Sequence, residues 1–92
     1  LMGDLSLQES DLRLLSQAGT NFKIIAKPIY QNGDIWWQLQ LALQDGKTAV
    51  IAKARDKSPK LWRQLSGVYQ FIQDNTPEQK SFTVVMKEDS LE

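Results

Sequence analysis

The sequence contains neither cysteine nor histidine. Without them the chain has no disulfide framework, no thiol nucleophile, no Ser-His or Cys-His catalytic pair, and no zinc or copper site built on sulfur or imidazole. Charge of one sign is not in excess either. Eleven Lys and Arg balance eleven Asp and Glu, so net charge selects no partner. Long apolar runs are also missing: the longest, such as 24–26 and 49–52, are three or four residues. A spanning helix needs about 20 apolar residues, and a secretory leader an apolar stretch of about 7–15. No membrane association is therefore expected, and the default location is cytoplasmic. The five glycines are isolated at Gly3, Gly19, Gly33, Gly46 and Gly67, so no phosphate-cradling glycine loop exists. Asp34 and Asp45 stand in turn contexts, where a carboxylate supports the turn. A helix-on-sheet domain of this size has little room for a catalytic cleft. The expectation is a protein that is not an enzyme, with no cofactor, no metal and no small-molecule substrate.

What is present fits one domain. The 92 residues, 41% hydrophobic and 24% charged, match globular usage and are too few for two independent cores. The domain is expected to span 6–87, with flexible or vector-derived ends at 1–5 and 88–92. Leu1 ahead of Met2 and the closing Leu91-Glu92 resemble cloning scars. Residues 7–17 read as a helix. Ser6 and Glu9 form a capping box, with a competing start at Ser10, and Gly19 takes the left-handed C-terminal position. Leu7, Leu14, Leu15 and Ala18 fall near one face, with Leu12 partly beside it.

From Phe22 the apolar period becomes two. Phe22, Ile24 and Ala26 alternate with Lys23, Ile25 and Lys27 in a strand ending near Tyr30. Pro28 belongs near its end or on an open edge. Asn32-Gly33 supplies a two-residue hairpin turn. The next strand has the clearest pattern: Ile35, Trp37, Leu39, Leu41 and Leu43 on one face, and Trp36, Gln38, Gln40, Ala42 and Gln44 on the other. Asp45-Gly46 turns the chain into a third strand over 47–54. Ser58-Pro59 reads as a helix start, followed by Leu61, Leu65, Val68, Tyr69 and Ile72 at helical spacing, with Gly67 allowing close approach to the sheet. Residues 74–77 end that helix, and 82–87 form a last strand. The predicted fold is α+β, in the order α-β-β-β-α-β, with a four-stranded, mostly antiparallel sheet and helices packed on it. The last strand has two places to go, beside the third strand or beside the first.

Six basic residues, Lys47, Lys53, Arg55, Lys57, Lys60 and Arg63, fall within seventeen positions, opposed by Asp56 alone. This run suits contacts to phosphate. It equally suits a solvated loop that keeps a sheet edge from pairing with other chains. The helix reading puts Lys60 and Arg63 in first turns, where the dipole disfavours cations. Trp36 and Trp37 point to opposite faces: Trp37 belongs to the core, and Trp36 is either covered by the first helix or a second subunit, or is an exposed platform for a base or a partner protein. Trp62, between Lys60 and Arg63, is an interface anchor or a core margin. An RNA-recognition module is excluded by element order and by the lack of its aromatic strand motif. A helix-turn-helix is excluded by the meander between the helices.

The pattern of a leucine-rich helix ending in Ala18-Gly19, then Gly33-Asp34-Ile35-Trp36-Trp37, Gly46-Lys47, a basic run from Ala54 to Trp62, and Phe82-Thr83-Val84 resembles small accessory proteins of plasmids and integrated elements, of the ParC-type partition-associated kind. Its loop, Asp56-Lys57-Ser58-Pro59-Lys60, lacks the glycine of that family's pattern. The resemblance implies a mobile-element setting, favouring DNA or a DNA-bound partner, and brings no catalytic residue. Three roles remain open. The first is an interaction module for a protein partner or for itself as a homodimer. The second is a nucleic-acid-binding domain acting through residues 53–63, and the third a structural homodimer with no ligand. The candidate binding residues are Lys53, Arg55, Lys57, Lys60, Trp62, Arg63 and Trp36.

Overall fold

The computed structural model describes residues 5–87. The expected ends at 1–4 and 88–92 lie outside them. The elements are β1 (Leu5–Leu7), α1 (Glu9–Gln17), β2 (Phe22–Gln31), β3 (Asp34–Leu43), β4 (Thr48–Ile51), β5 (Leu61–Trp62), α2 (Leu65–Asn75) and β6 (Thr83–Val84). The α+β class is as expected; the sheet is larger and mixed. It has six strands in the order β1-β4-β3-β2-β6, with β5 also paired to β3. The β2-β3-β4 meander is antiparallel, while β1 on β4 and β6 on β2 are parallel.

The β2-β3 hairpin forms where the sequence directs it. Asn32 and Gly33 both adopt positive φ, 52° and 80°, as this tight turn requires, and ten consecutive residue pairs run from Gln31↔Asp34 to Phe22↔Leu43. The second turn is longer by one residue. The Gly46 N–H donates to the Leu43 carbonyl at 3.1 Å and the Leu43 N–H to the Lys47 carbonyl at 2.8 Å, with Gly46 at φ 87°. Pro28 is buried within β2. Alternation from Ala26, whose carbonyl accepts from the Val85 N–H, aims the missing Pro28 donor past the end of β6, where no strand needs it.

Both ends of α1 differ in legibility. Its C-terminus is the predicted one: the Gly19 N–H donates to the Ser16 carbonyl and the Thr20 N–H to the Leu15 carbonyl, each at 3.1 Å, with Gly19 at φ 75°, a Schellman closure. The N-terminus is corrected. Ser6 lies in β1, paired with Val50; the helix begins after Gln8, whose N–H donates to the Asp11 carboxylate at 2.9 Å. Leu5 belongs to the sheet, not to a loose end. Leu12 is the fully buried residue of α1, whereas Leu14 is 64% exposed.

The second helix is corrected more deeply. Ser58-Pro59 does not start it. Pro59 bridges Ala52 across an antiparallel pair, and Leu61-Trp62 is a strand pairing Gln38 and Trp37. β4 accompanies β3 only over Gln40–Ala42, which leaves Trp37 and Gln38 without a partner strand on the side away from β2; β5 supplies one. Consecutive Leu61 and Trp62 then reach opposite sheet faces, which a helix could not allow. The chain between Ile51 and Leu61 is an excursion from this edge, so the third strand stops at Ile51 rather than 54. In α2, Val68, Phe71, Ile72 and Asn75 are buried and Tyr69 is exposed, replacing the stripe that included Tyr69. Gly67 does allow the expected close approach: a Cβ there would lie 3.0 Å from Cδ1 of Trp62. The last strand is two residues, Thr83–Val84, and lies parallel beside β2.

The core contains Leu12, Ile24, Ala26, Leu39, Leu41, Ala49, Ile51, Val68, Phe71 and Ile72. Both helices therefore pack on the sheet face that carries Leu39 and Leu41. Asn75, 3% exposed, joins them by donating to the Phe71 carbonyl at 2.9 Å and accepting from Arg13 Nε at 2.8 Å. Among the described residues no helix is long and apolar enough to cross a membrane.

Candidate nucleic-acid interface

The register defines the opposite sheet face. Lys23, Ala42 and Thr48 form one row across it, followed by Ile25, Gln40 and Val50, then Lys27, Gln38 and Leu61, then Ile29 and Trp36. No residue in these rows is buried, as befits a face on which no helix packs. α1 therefore does not cover Trp36, contrary to one expectation. Arg63 covers it instead: the pairing of Trp37 with Trp62 places Arg63 beside Trp36, with the guanidinium carbon 5.1 Å from the ring centroid. Arg63 Nη1 also lies 3.4 Å from the Asp34 carboxylate. Both partners are half-exposed, so the pair orients Arg63 more than it stabilises the fold. Asp34, Trp36, Leu61 and Lys53 line a hollow of about 280 Å³ at this end of the face.

The contiguous basic run is divided by the fold. Lys53 is not on the third strand, as expected, but lies with Arg55 in the loop after β4. Lys60 and Arg63 are not in a helix: they flank β5, and α2 begins only at Leu65. Lys60 turns to the helical side, its Nζ 5.7 Å from the Trp62 ring centroid and 5.6 Å from that of Phe71. Trp62 packs edge-on against Phe71 at 5.0 Å, which makes it a core margin and not an exposed anchor. Lys57 stands at the loop tip at φ 64°, held by its N–H to the Lys53 carbonyl at 3.0 Å.

Two residues missed by sequence reasoning join the face: Lys23 and Lys27, on β2. Four residues apart on a strand, they stand about 13 Å from each other. The alternation of β2 was legible, but only the placement of both helices on one side shows that these lysines share an uncovered surface with Trp36. Asp34 is the one acidic residue that the described strands contribute to this face.

Asp56 shapes the loop. Its Oδ1 accepts from the Ser58 hydroxyl at 2.7 Å and from the Ser58 N–H at 3.1 Å. These bonds, hydroxyl first, hold its carboxyl below the usual carboxylate range, with a smaller contribution from Lys53. Because the folded value is the depressed one, the loop-ordering contribution is full above the unfolded-chain value of about 3.9 and fades as pH falls through the lower folded value. A carboxyl-carbon NMR titration is expected to give a midpoint below about 3.9, and Ser58→Ala, which removes the hydroxyl but keeps the backbone N–H bond, should raise it part of the way back. An unchanged midpoint in the variant would remove the Ser58 hydroxyl as the leading cause.

No family model, curated protein or solved structure matches the chain. A functional reading therefore rests on the geometry: a sheet face on which no described helix packs, with one stacked aromatic, uncharged glutamines and a margin of cations.

Proposed function

We propose that this protein is a non-enzymatic binding module that lays a single-stranded nucleic acid across the uncovered sheet face. The observation that carries this is that Lys27, Lys53 and Arg63 stand around Trp36, with Lys23 farther along the same face, and that Asp34 is the one acidic residue the described strands set against them. Cations at the margin contact phosphates, and an indole offers a π-face to any base. Gln38 and Gln40 add donors and acceptors without charge. A single strand suits this surface better than a duplex, because stacking on Trp36 needs an unpaired, unstacked base. The reading places the protein in the cytoplasm, and the resemblance to partition-associated proteins adds a setting beside mobile DNA.

The test is fluorescence anisotropy of a labelled oligothymidylate at several salt concentrations, with a duplex of equal length alongside. About four phosphate contacts at roughly 0.7 each predict a log–log salt slope near −3 for the single strand, and weaker duplex binding. A slope near zero, or no binding at low salt, would overturn the reading.

A second reading has its own support. Ile25, Ile29, Val50 and Leu61 are partly exposed on the same face, which suits a protein partner or a second copy of this chain. Light scattering on the same sample separates the two: a stable dimer that does not bind the oligonucleotide favours the homodimer.

A further inference from the structure

A second hollow, of about 380 Å³, opens between the start of α1 and the excursion after β4. Lys53 lines both this hollow and the one containing Trp36. Four basic residues line it, Arg13, Lys53, Arg55 and Lys60, and Glu9 is its one acidic residue. Two of the four are held in place. Arg13 donates from Nε to buried Asn75 at 2.8 Å and from Nη2 to Glu9 at 3.2 Å, while Lys60 is fixed over the Trp62 and Phe71 rings. The Asn75 amide nitrogen is committed to the Phe71 carbonyl, which turns its oxygen toward Arg13. Lys53, Arg55 and Lys60 form no ion pair with the described residues.

We propose that this hollow receives the terminal phosphate monoester of the strand bound on the sheet face, a proposal that rests on the reading above. The chemistry differs between the two places. On the open face the cations are spread out, as phosphodiesters with one charge each require. Here four cations converge against one carboxylate, which matches a monoester carrying about −1.5 to −2 charge and three acceptor oxygens. The fixed Arg13 and Lys60 lose little freedom on binding. Lys53, bordering both hollows, gives the strand a continuous path from the stacked base to the end phosphate.

The experiment compares one oligothymidylate in three forms: unphosphorylated, 5′-phosphorylated and 3′-phosphorylated. One phosphorylated form is expected to bind about 5–20-fold more tightly than the unphosphorylated strand, the gain of one or two charge-assisted contacts. Arg55→Gln and, separately, Lys60→Gln should bring that ratio close to one. Arg55 is exposed on the loop, so its variant tests the site even where Lys60→Gln disturbs the packing of Trp62. Equal binding of all three forms would overturn the terminal-phosphate site while leaving the sheet-face reading intact. Failure of all three to bind would overturn both. A preference that persists in both variants would place the phosphate elsewhere.

Discussion

Replacing Lys23, Lys27, Lys53 and Arg63 together by glutamine is expected to weaken oligothymidylate binding by about 100-fold at moderate salt and to flatten the salt slope toward zero. The size of the effect follows from the kind of interaction. Non-specific nucleic-acid binding is almost wholly counterion release, and each lost phosphate contact on a single strand removes about 0.7 of a unit of slope. The fold should survive, because none of the four side chains is buried, and the one ion pair lost, Arg63 with Asp34, joins half-exposed groups. Lys47→Gln with Lys80→Gln, two cations away from the face, is the control. Its loss should be small. Equal losses in both variants would mean that overall charge, not this surface, drives binding.

The second large effect concerns stability. Leu39 is completely buried between the hairpin and the helices. Leu39→Ala is expected to cost about 2–5 kcal/mol, the lost transfer energy plus a residual cavity. For a domain of this size that lowers the Tm by ten degrees or more. Leu14→Ala provides the contrast: at 64% exposure it should change stability by no more than about 0.5 kcal/mol. Thermal unfolding followed by circular dichroism checks both. A large loss at Leu14 would require α1 to pack differently.

The Leu14 case illustrates which parts of the fold were legible. The β2-β3 hairpin was readable because five alternating pairs and an Asn-Gly turn agree on one register, and a slip by one residue would have exposed the entire leucine face. Leu14 was misassigned because nine residues of helix hold several leucines, and spacing alone does not show which side meets the sheet. β1 was missed because Leu5-Ser6-Leu7 is too short to display a period. β5 was missed for a different reason. Leu61 continues the helical spacing of Leu65 and Val68, and Ser58-Pro59 looks like a cap, so local signals outvoted the demand of β3 for an edge partner. That demand is a tertiary fact, visible only once β4 is seen to leave the edge at Ile51.

The candidate site shows the same division. Trp36 and Arg63 were singled out from the sequence, and the structure stacks them together. The basic run was treated as one patch because its members are adjacent in the chain. Folding sends Lys60 to the helical side, Arg55 and Lys57 into the loop, and Arg63 to the open face, while bringing in Lys23 and Lys27 from β2. Linear clustering found the cations but not their grouping, because grouping depends on which sheet face the helices cover.

The most direct test of the central claim is a map of amide and indole NMR shifts as an unphosphorylated oligothymidylate is added. The account predicts that the perturbed signals are those of Lys23, Ile25, Lys27, Gln38, Gln40 and Arg63 together with the Trp36 indole, with the α2 surface around Tyr69 unmoved. Shifts confined to α2 or to the β1 and β6 edges, with the Trp36 indole unchanged, would contradict it.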